Sequence, residues 1–210
     1  MIPAPAQDLL LRFHVSRESW PALAAYVDLL GHWQRRINLI GPGTAHDIWL
    51  RHVADAVQLI PLVRPGTRAF ADLGTGAGIP GLPLALATGL TGQLHESNQK
   101  KLAFLREAIR VTGAPCRLHG GRIEALAASE IPADVGLVVS RALAPVSELL
   151  ELASPFLARG CQALFHKGQH IDRELTEATK CWKLDYLIHP SAIDSAGVIL
   201  EIKEATHVRR

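Results

Sequence analysis

The stretch Phe70-Ala71-Asp72-Leu73-Gly74-Thr75-Gly76-Ala77-Gly78-Ile79-Pro80-Gly81 constrains the fold more than any other part of the chain. An apolar run ending in an acid opens into a loop with alternate glycines. The apolar run Leu82-Pro83-Leu84-Ala85-Leu86-Ala87 follows at once. Strand, glycine loop and helix in that order predict a nucleotide-type cofactor site at the end of a first parallel strand. Glycine lets the backbone take positive φ and approach a ligand closely. Pro80 is tolerated near a helix start, where its missing N–H has no intrahelical partner.

The loop can be read in two ways. Gly76 to Gly81 spells G-x-G-x-x-G, the dinucleotide fingerprint. Asp72 to Gly78 spells D-x-G-x-G-x-G, as in methyltransferases that use S-adenosylmethionine (SAM). The acid favours the second. A pyrophosphate would be repelled by Asp72, whereas SAM carries an ammonium and a sulfonium.

The rest of the chain supports one α/β unit. Residues 1–64 read as helical: Leu9, Leu10 and Phe13 mark a short first helix. Ser19 is the expected N-cap of a second, with Pro21 early and Tyr26, Leu29, Leu30, Trp33 and Ile37 at helical spacing. Gly41-Pro42-Gly43 breaks the pattern. Thr44 to Asp47 resembles a capping box before Ile48, Trp49, His52, Val53, Ala56, Leu59 and Ile60. His52 on that apolar face reads as a partly buried structural histidine.

From Arg68 strands and helices alternate. Strands are expected near 68–73, 92–96, 115–119, 135–139, 161–166, 181–188 and 198–203, with helices between all but the last two. The predicted fold is a Rossmann-like class I SAM-methyltransferase sheet, mostly parallel with an antiparallel last strand. Residues 1–64 form an N-terminal helical cap within the same compact unit. Residues 65–210 form the SAM-binding domain.

With 210 residues and 48% hydrophobic content the chain can bury a substantial core. Its apolar runs fall short of a membrane span, and its start lacks a signal-peptide pattern. Cys116, Cys161 and Cys181 are too widely spaced for a metal set and read as buried thiols of a cytoplasmic protein. A formal net charge of +2 leaves nucleic-acid binding to local basic clusters such as Arg35-Arg36, Lys100-Lys101 and the terminal His207 to Arg210.

Ligands in such sheets sit beyond the carboxyl ends of the strands. Glu96 ends the second strand about twenty residues past the loop, where a carboxylate can accept hydrogen bonds from ribose. Ile123 and Glu124 follow the third strand and are placed to cover an adenine. Ser140-Arg141-Ala142-Leu143 ends the fourth, where the methyl group would be presented. That segment lacks the Asp/Asn-Pro-Pro-aromatic pattern common in amino-group methyltransferases. Pro115-Cys116 falls at the wrong end of its strand for a pyrimidine nucleophile.

These segments together resemble the RsmG family, also called glucose-inhibited division protein B, of bacterial small-subunit ribosomal RNA guanine-N7 methyltransferases. The resemblance spans Trp33 to Leu39, Ile48 to Asp55, Asp72 to Leu84, Glu96 to Leu105, Ser140-Arg141-Ala142 and His166-Lys167-Gly168. Ile40 departs from the family's usual Thr, and Ala56-Val57 from its Ser-Leu. The resemblance implies that Gly74, Ile79, Ile123, Glu124 and Arg141 contact SAM. The residues themselves add Asp72, Gly76, Gly78 and Glu96 as cofactor contacts.

Methylation at guanine N7 needs no general base, and none stands out. Arg141 and Lys167 are candidates for the substrate side, and Arg35, Arg36, Lys100, Lys101 and Arg209 for RNA phosphates. The expected partner is 16S ribosomal RNA or the small-subunit precursor. The expected protein is a cytoplasmic monomer, without metal or membrane. The rival readings are an NAD(P)-dependent oxidoreductase, which leaves Asp72 unexplained, and a non-catalytic ribosome-associated RNA binder, which does not need an intact cofactor loop.

Overall fold

A computed structural model describes residues 2–208. Helices α1 (Ala4–Arg12) and α2 (Trp20–Gln34) come first. A π-helical segment (Trp49–Ala54) then runs into the single turn α3 (Asp55–Val57). Alternation follows: β1 (Ala69–Leu73), α4 (Gly81–Thr88), β2 (Thr91–Glu96), α5 (Gln99–Thr112) and β3 (Cys116–Gly120). The second half holds β4 (Val135–Arg141), α6 (Val146–Leu157), β5 (Gln162–Lys167), α7 (Ile171–Ala178), β6 (Trp182–Pro190) and β7 (Val198–His207). The seven strands form one sheet in the order β3-β2-β1-β4-β5-β7-β6. Strands β1 to β5 pair in parallel, and β7 pairs antiparallel with both β5 and β6. The mixed sheet with an antiparallel last strand matches the expectation.

Successive strand residues point to opposite faces, and two cores result. Phe70, Leu94, Leu137, Val139 and Leu164 face the helical N-terminal segment, packing with Leu10, Tyr26, Leu30, Val53, Val57 and Phe104. Ala69, Ala71, Leu73, Val138, Ala163 and Phe165 face α6 and α7, packing with Leu149, Phe156 and Leu175. Among the described residues no helix is long and apolar enough to cross a membrane.

Local capping differs from expectation in places. The Ser19 side chain makes no cap bond; Ser16 instead accepts from the Glu18 amide in a 3-10 turn ahead of α2. Asp47, not Thr44, accepts from the first turn of the next segment, at the Leu50 amide. The helix expected between the third and fourth strands is two 3-10 turns, Ile123–Ala125 and Ala128–Glu130. Gly89 and Gly113 end α4 and α5 in left-handed conformations, and Asn98 caps α5 through the Lys100 and Lys101 amides. Cys161 is buried and Cys116 half-buried, its thiol pushed up to about 12 mainly by burial. Cys181 is exposed, because the turn into β6 lies at the surface.

Candidate active site

The glycine loop is fixed from beneath by Asp72. Its Oδ2 accepts from the Thr75 hydroxyl and from the Gly81 amide at 2.8 Å, tying the loop to the N-terminus of α4. The sequence predicts that Asp72 faces the cofactor; the structure buries it completely. It lies beneath the loop because Gly81 leaves no side chain between α4 and the strand. A Cβ at Gly81 would stand 2.5 Å from Leu94 Cδ2 and 2.6 Å from Asp72 Oδ2. Burial pushes the Asp72 carboxyl up to about 7, against the pull of the Thr75 and Gly81 hydrogen bonds. Its Oδ1 is buried without a hydrogen-bond partner among the described residues.

Above the loop, Gly74 and Gly76 have φ of +66° and +60°. The space over Gly76 is open: a Cβ there would have nothing nearer than 3.9 Å. Glu96 braces this turn. Its Oε2 accepts from the Gly76 amide at 3.0 Å, and its Oε1 from the Ser97 and Asn98 amides at 2.9 and 2.8 Å. A carboxylate has about four acceptor positions, so one remains for a ligand hydroxyl.

Two cavities open from the loop. One, of about 290 Å³, is lined by Gly74, Glu96, Lys101, Ile123, Glu124 and Leu143. It brings together the predicted ribose and adenine residues from the ends of β2 and β3. The other, of about 370 Å³, lies under the helical segment and is lined by Ile40, His52, Gly76, Ile79, Lys101 and Arg141. Gly78 lines neither. It serves packing, since a Cβ there would meet Leu82 Cδ1 at 2.4 Å.

The helical segment reaches the loop directly. The Tyr26 hydroxyl donates to the Ala77 carbonyl at 2.7 Å, and both groups are buried. Burial raises the Tyr26 phenol well above its ordinary value, so it stays a donor.

Arg141 ends β4 and pairs in register with His166 of β5. Its Nη1 lies 3.2 Å from Asp55 Oδ2 and 3.0 Å from His52 Nδ1. Guanidinium only donates, so His52 Nδ1 accepts and the imidazole proton sits on Nε2. Nε2 then donates to Thr44 Oγ1 at 2.9 Å, and Thr44 donates to the Gly41 carbonyl at 3.0 Å. Burial first, then the Arg141 charge, lowers His52 to about 3. His52 is therefore neutral with its free lone pair engaged. The expected structural histidine is buried, and it also sets the position of the site arginine. Asp55 is held further by Gln58 Nε2 at 2.6 Å, and its backbone carbonyl accepts from His166 Nε2 at 2.8 Å.

Neither His52 nor Asp55 can be assigned to the site from sequence, because their spacing on the segment only marks a buried face. Their neighbourhood with Ser140-Arg141-Ala142 is tertiary. The same is true of Tyr26.

A third cavity, of about 230 Å³, lies on the far side of Arg141, lined by Arg51, Asp55, Arg141, His166, Lys167 and Asp194. Arg141 thus borders both this cavity and the one over the loop. Lys167, expected on the substrate side, is engaged elsewhere. Its side chain is 9% exposed and ion-paired with Glu174, and it donates to the Ala144 carbonyl at 2.9 Å. Glu174 also accepts from the Val146 amide. Lys167 therefore fastens the loop between β4 and α6, and its ammonium is committed there.

The basic pairs meet. Arg35, Arg36, Lys100 and Lys101 line one cleft of about 390 Å³ between the end of α2 and the start of α5. Lys101 belongs to this cleft and to both cavities at the loop. Arg209 lies outside the described residues. Among the described residues no group of three or more His, Cys, Asp or Glu side chains could hold a metal ion.

Known proteins share this architecture. The SAH-bound methyltransferase PaMTH1 of Podospora anserina superposes with a TM-score of 0.61 at 15% identity, over 84% of this chain and 86% of that one. The glycopeptide N-methyltransferase MtfA complexed with sinefungin superposes with a TM-score of 0.57 at 14% identity, over 73% and 94%. These likenesses establish the fold alone. Sequence relatives go further. The ribosomal RNA small subunit methyltransferase G of Paramagnetospirillum magneticum is 44% identical over 203 residues, 97% of each chain. Its namesake from Rhodospirillum centenum is 46% identical over 206 residues, 97% of this chain and 94% of that one. The family model for rRNA small subunit methyltransferase G matches residues 20–198, from the first turn of α2 to the start of β7, and the chain belongs to that family.

Proposed function

We propose that this protein transfers a methyl group from SAM to N7 of a guanine in small-subunit (16S) ribosomal RNA. The observation that carries the reading is the position of Arg141. It stands between the cavity over the glycine loop and a second cavity beyond it, in a chain that matches its family almost end to end.

The residues present fit the cofactor. Open space lies over Gly76, and Glu96 keeps one acceptor for a ribose hydroxyl. Gly74, Ile123 and Glu124 line the cavity that adenosine would take, and Ile79 lines the one under the helical segment. When bound, SAM supplies an electrophilic methyl group.

Guanine N7 offers a lone pair and loses no proton on methylation, so the chain has to position rather than deprotonate. The site agrees. His52 is neutral, but its acceptor nitrogen is committed to Arg141, which leaves it no lone pair for use as a base. Arg141 keeps its Nε and Nη2 hydrogens without acceptors among the described residues. A guanine presents O6 beside N7, and an arginine can hold O6 while leaving N7 free. The base must be extruded from RNA structure to reach such a cleft. Arg35, Arg36 and Lys100 would hold neighbouring phosphates.

Labelled methyl transfer to small-subunit RNA from cells lacking the protein, with the product nucleoside identified, tests this reading. 7-Methylguanosine is expected. Transfer to another atom would overturn the guanine-N7 assignment. A lack of transfer to both naked RNA and the small subunit would overturn the substrate.

A further inference from the structure

SAM combines two cations with one anion, the carboxylate of its amino-acid end. A glycine loop often meets an anion with free backbone amides. Here most of those amides are used. The Thr75 amide bonds the His95 carbonyl, Gly76 bonds Glu96, and Gly78 and Ile79 both bond the Thr75 carbonyl. At the start of α4 the Gly81 amide is taken by Asp72 and that of Leu82 by the Gly78 carbonyl. Among the described residues the amides of Gly74 and Ala77 alone in this loop have no such acceptor, so a side-chain cation would carry most of the pairing with the carboxylate.

Three cations border the two loop cavities. Arg141 is paired with Asp55 through Nη1, and its remaining hydrogens are those that would hold guanine O6. Arg122 is paired with Glu124, and its side chain is 81% exposed. Lys101 makes no side-chain hydrogen bond or ion pair among the described residues. Its Nζ stands 3.9 Å from where a Gly76 Cβ would be, over the open side of the loop. It lines both loop cavities as well as the basic cleft. The Asn98 cap fixes the backbone beneath it, through the Lys101 amide at 3.2 Å.

We infer that Lys101 is the carboxylate-binding residue of the cofactor site, pairing with the amino-acid end of SAM rather than with an RNA phosphate. The inference rests on the reading of this cleft as a SAM site. It divides the basic cleft into Arg35, Arg36 and Lys100, left for phosphates, and Lys101, turned to the cofactor. Lys101 becomes a direct cofactor contact that neither its family motif nor its place in a basic pair identifies.

The test compares two nucleosides by calorimetry at fixed ionic strength. S-adenosylhomocysteine carries the carboxylate; 5′-methylthioadenosine lacks the amino-acid end. For Lys101→Met, affinity for S-adenosylhomocysteine is expected to fall roughly ten- to hundredfold, the range of one charge-assisted contact. Affinity for 5′-methylthioadenosine should stay within about twofold, because adenosine contacts are untouched. Lys101→Arg should recover most of the loss, and Lys100→Met should change neither ligand. Unchanged S-adenosylhomocysteine affinity in Lys101→Met would overturn the assignment and return Lys101 to the RNA cleft. An equal loss of both ligands would also overturn it, pointing to loop geometry instead of charge. A wild-type protein that bound neither nucleoside would bring down the cofactor reading itself, a result distinct from these.

Discussion

Tyr26 and Ala77 are 51 residues apart in the chain and joined by a buried 2.7 Å hydrogen bond from phenol to carbonyl. The bond makes α2 part of the cofactor loop's support. Tyr26→Phe leaves a buried carbonyl without its donor and should cost about 1–2 kcal/mol of stability. It should also weaken S-adenosylhomocysteine binding, because the loop loses its anchor on the helical side. Denaturant unfolding with and without ligand checks both. Unchanged ligand affinity would restrict Tyr26 to the core.

Arg141 and Asp55 should behave as a coupled pair. Asp55→Ala removes the carboxylate that faces Nη1 and should reduce stability by about 2 kcal/mol. Arg141→Ala should reduce methyl transfer roughly a hundredfold, the scale for loss of one positioned donor. In the double variant the losses should fall short of additivity by about 1 kcal/mol or more. Full additivity in unfolding and turnover would mean that Asp55 does not position Arg141.

Asp72 should leave a signature in the pH dependence of stability. Its folded value, about 7, lies above its ordinary 3.8. The folded protein therefore keeps the proton over roughly pH 4 to 7, and the Asp72 contribution is lost as pH rises through that window. The slope is at most about 1.4 kcal/mol per pH unit. His52 and His95 work in the opposite sense, since burial lowers them to about 3 and about 4. Their contribution is present above the unfolded value near 6.5 and is lost as pH falls through the folded ones. The difference in unfolding free energy between wild type and Asp72→Asn removes this shared background. It should decline from pH 4 to 7. A flat difference would show that Asp72 is ionised throughout.

The basic cleft should show itself in salt dependence. Arg36→Gln or Lys100→Gln should weaken binding to small-subunit RNA. Each should lower the slope of log affinity against log salt by about 1 for every phosphate that is no longer neutralised. Affinity for S-adenosylhomocysteine should not change, since neither residue lines a loop cavity. A slope equal to wild type in both variants would place the RNA elsewhere.

Much of the fold is legible in sequence because its signals are local. Glycines at 74, 76, 78 and 81, the apolar runs and the Asn98 cap dictate strand, loop and helix through backbone sterics and period. Glu96 is legible from its distance to the loop. Asp72 departs from its expected place for an instructive reason. Its charge argues for a ligand, but a charge in sequence says nothing of which side of a loop it occupies. The close packing of Gly81 sends it beneath. Lys167 looks free in sequence, yet Glu174 and the Ala144 carbonyl claim it.

By itself the sequence determined the sheet, the cofactor loop and the family, because short-range spacing encodes each of them. Only the tertiary structure decided which side chains complete the site. His52 and Asp55 meet Arg141, Tyr26 meets Ala77, and two basic pairs close on one cleft. Those contacts join residues tens of positions apart. They arise when the helical segment buries its apolar face against the sheet, and no local pattern records where that face comes to rest.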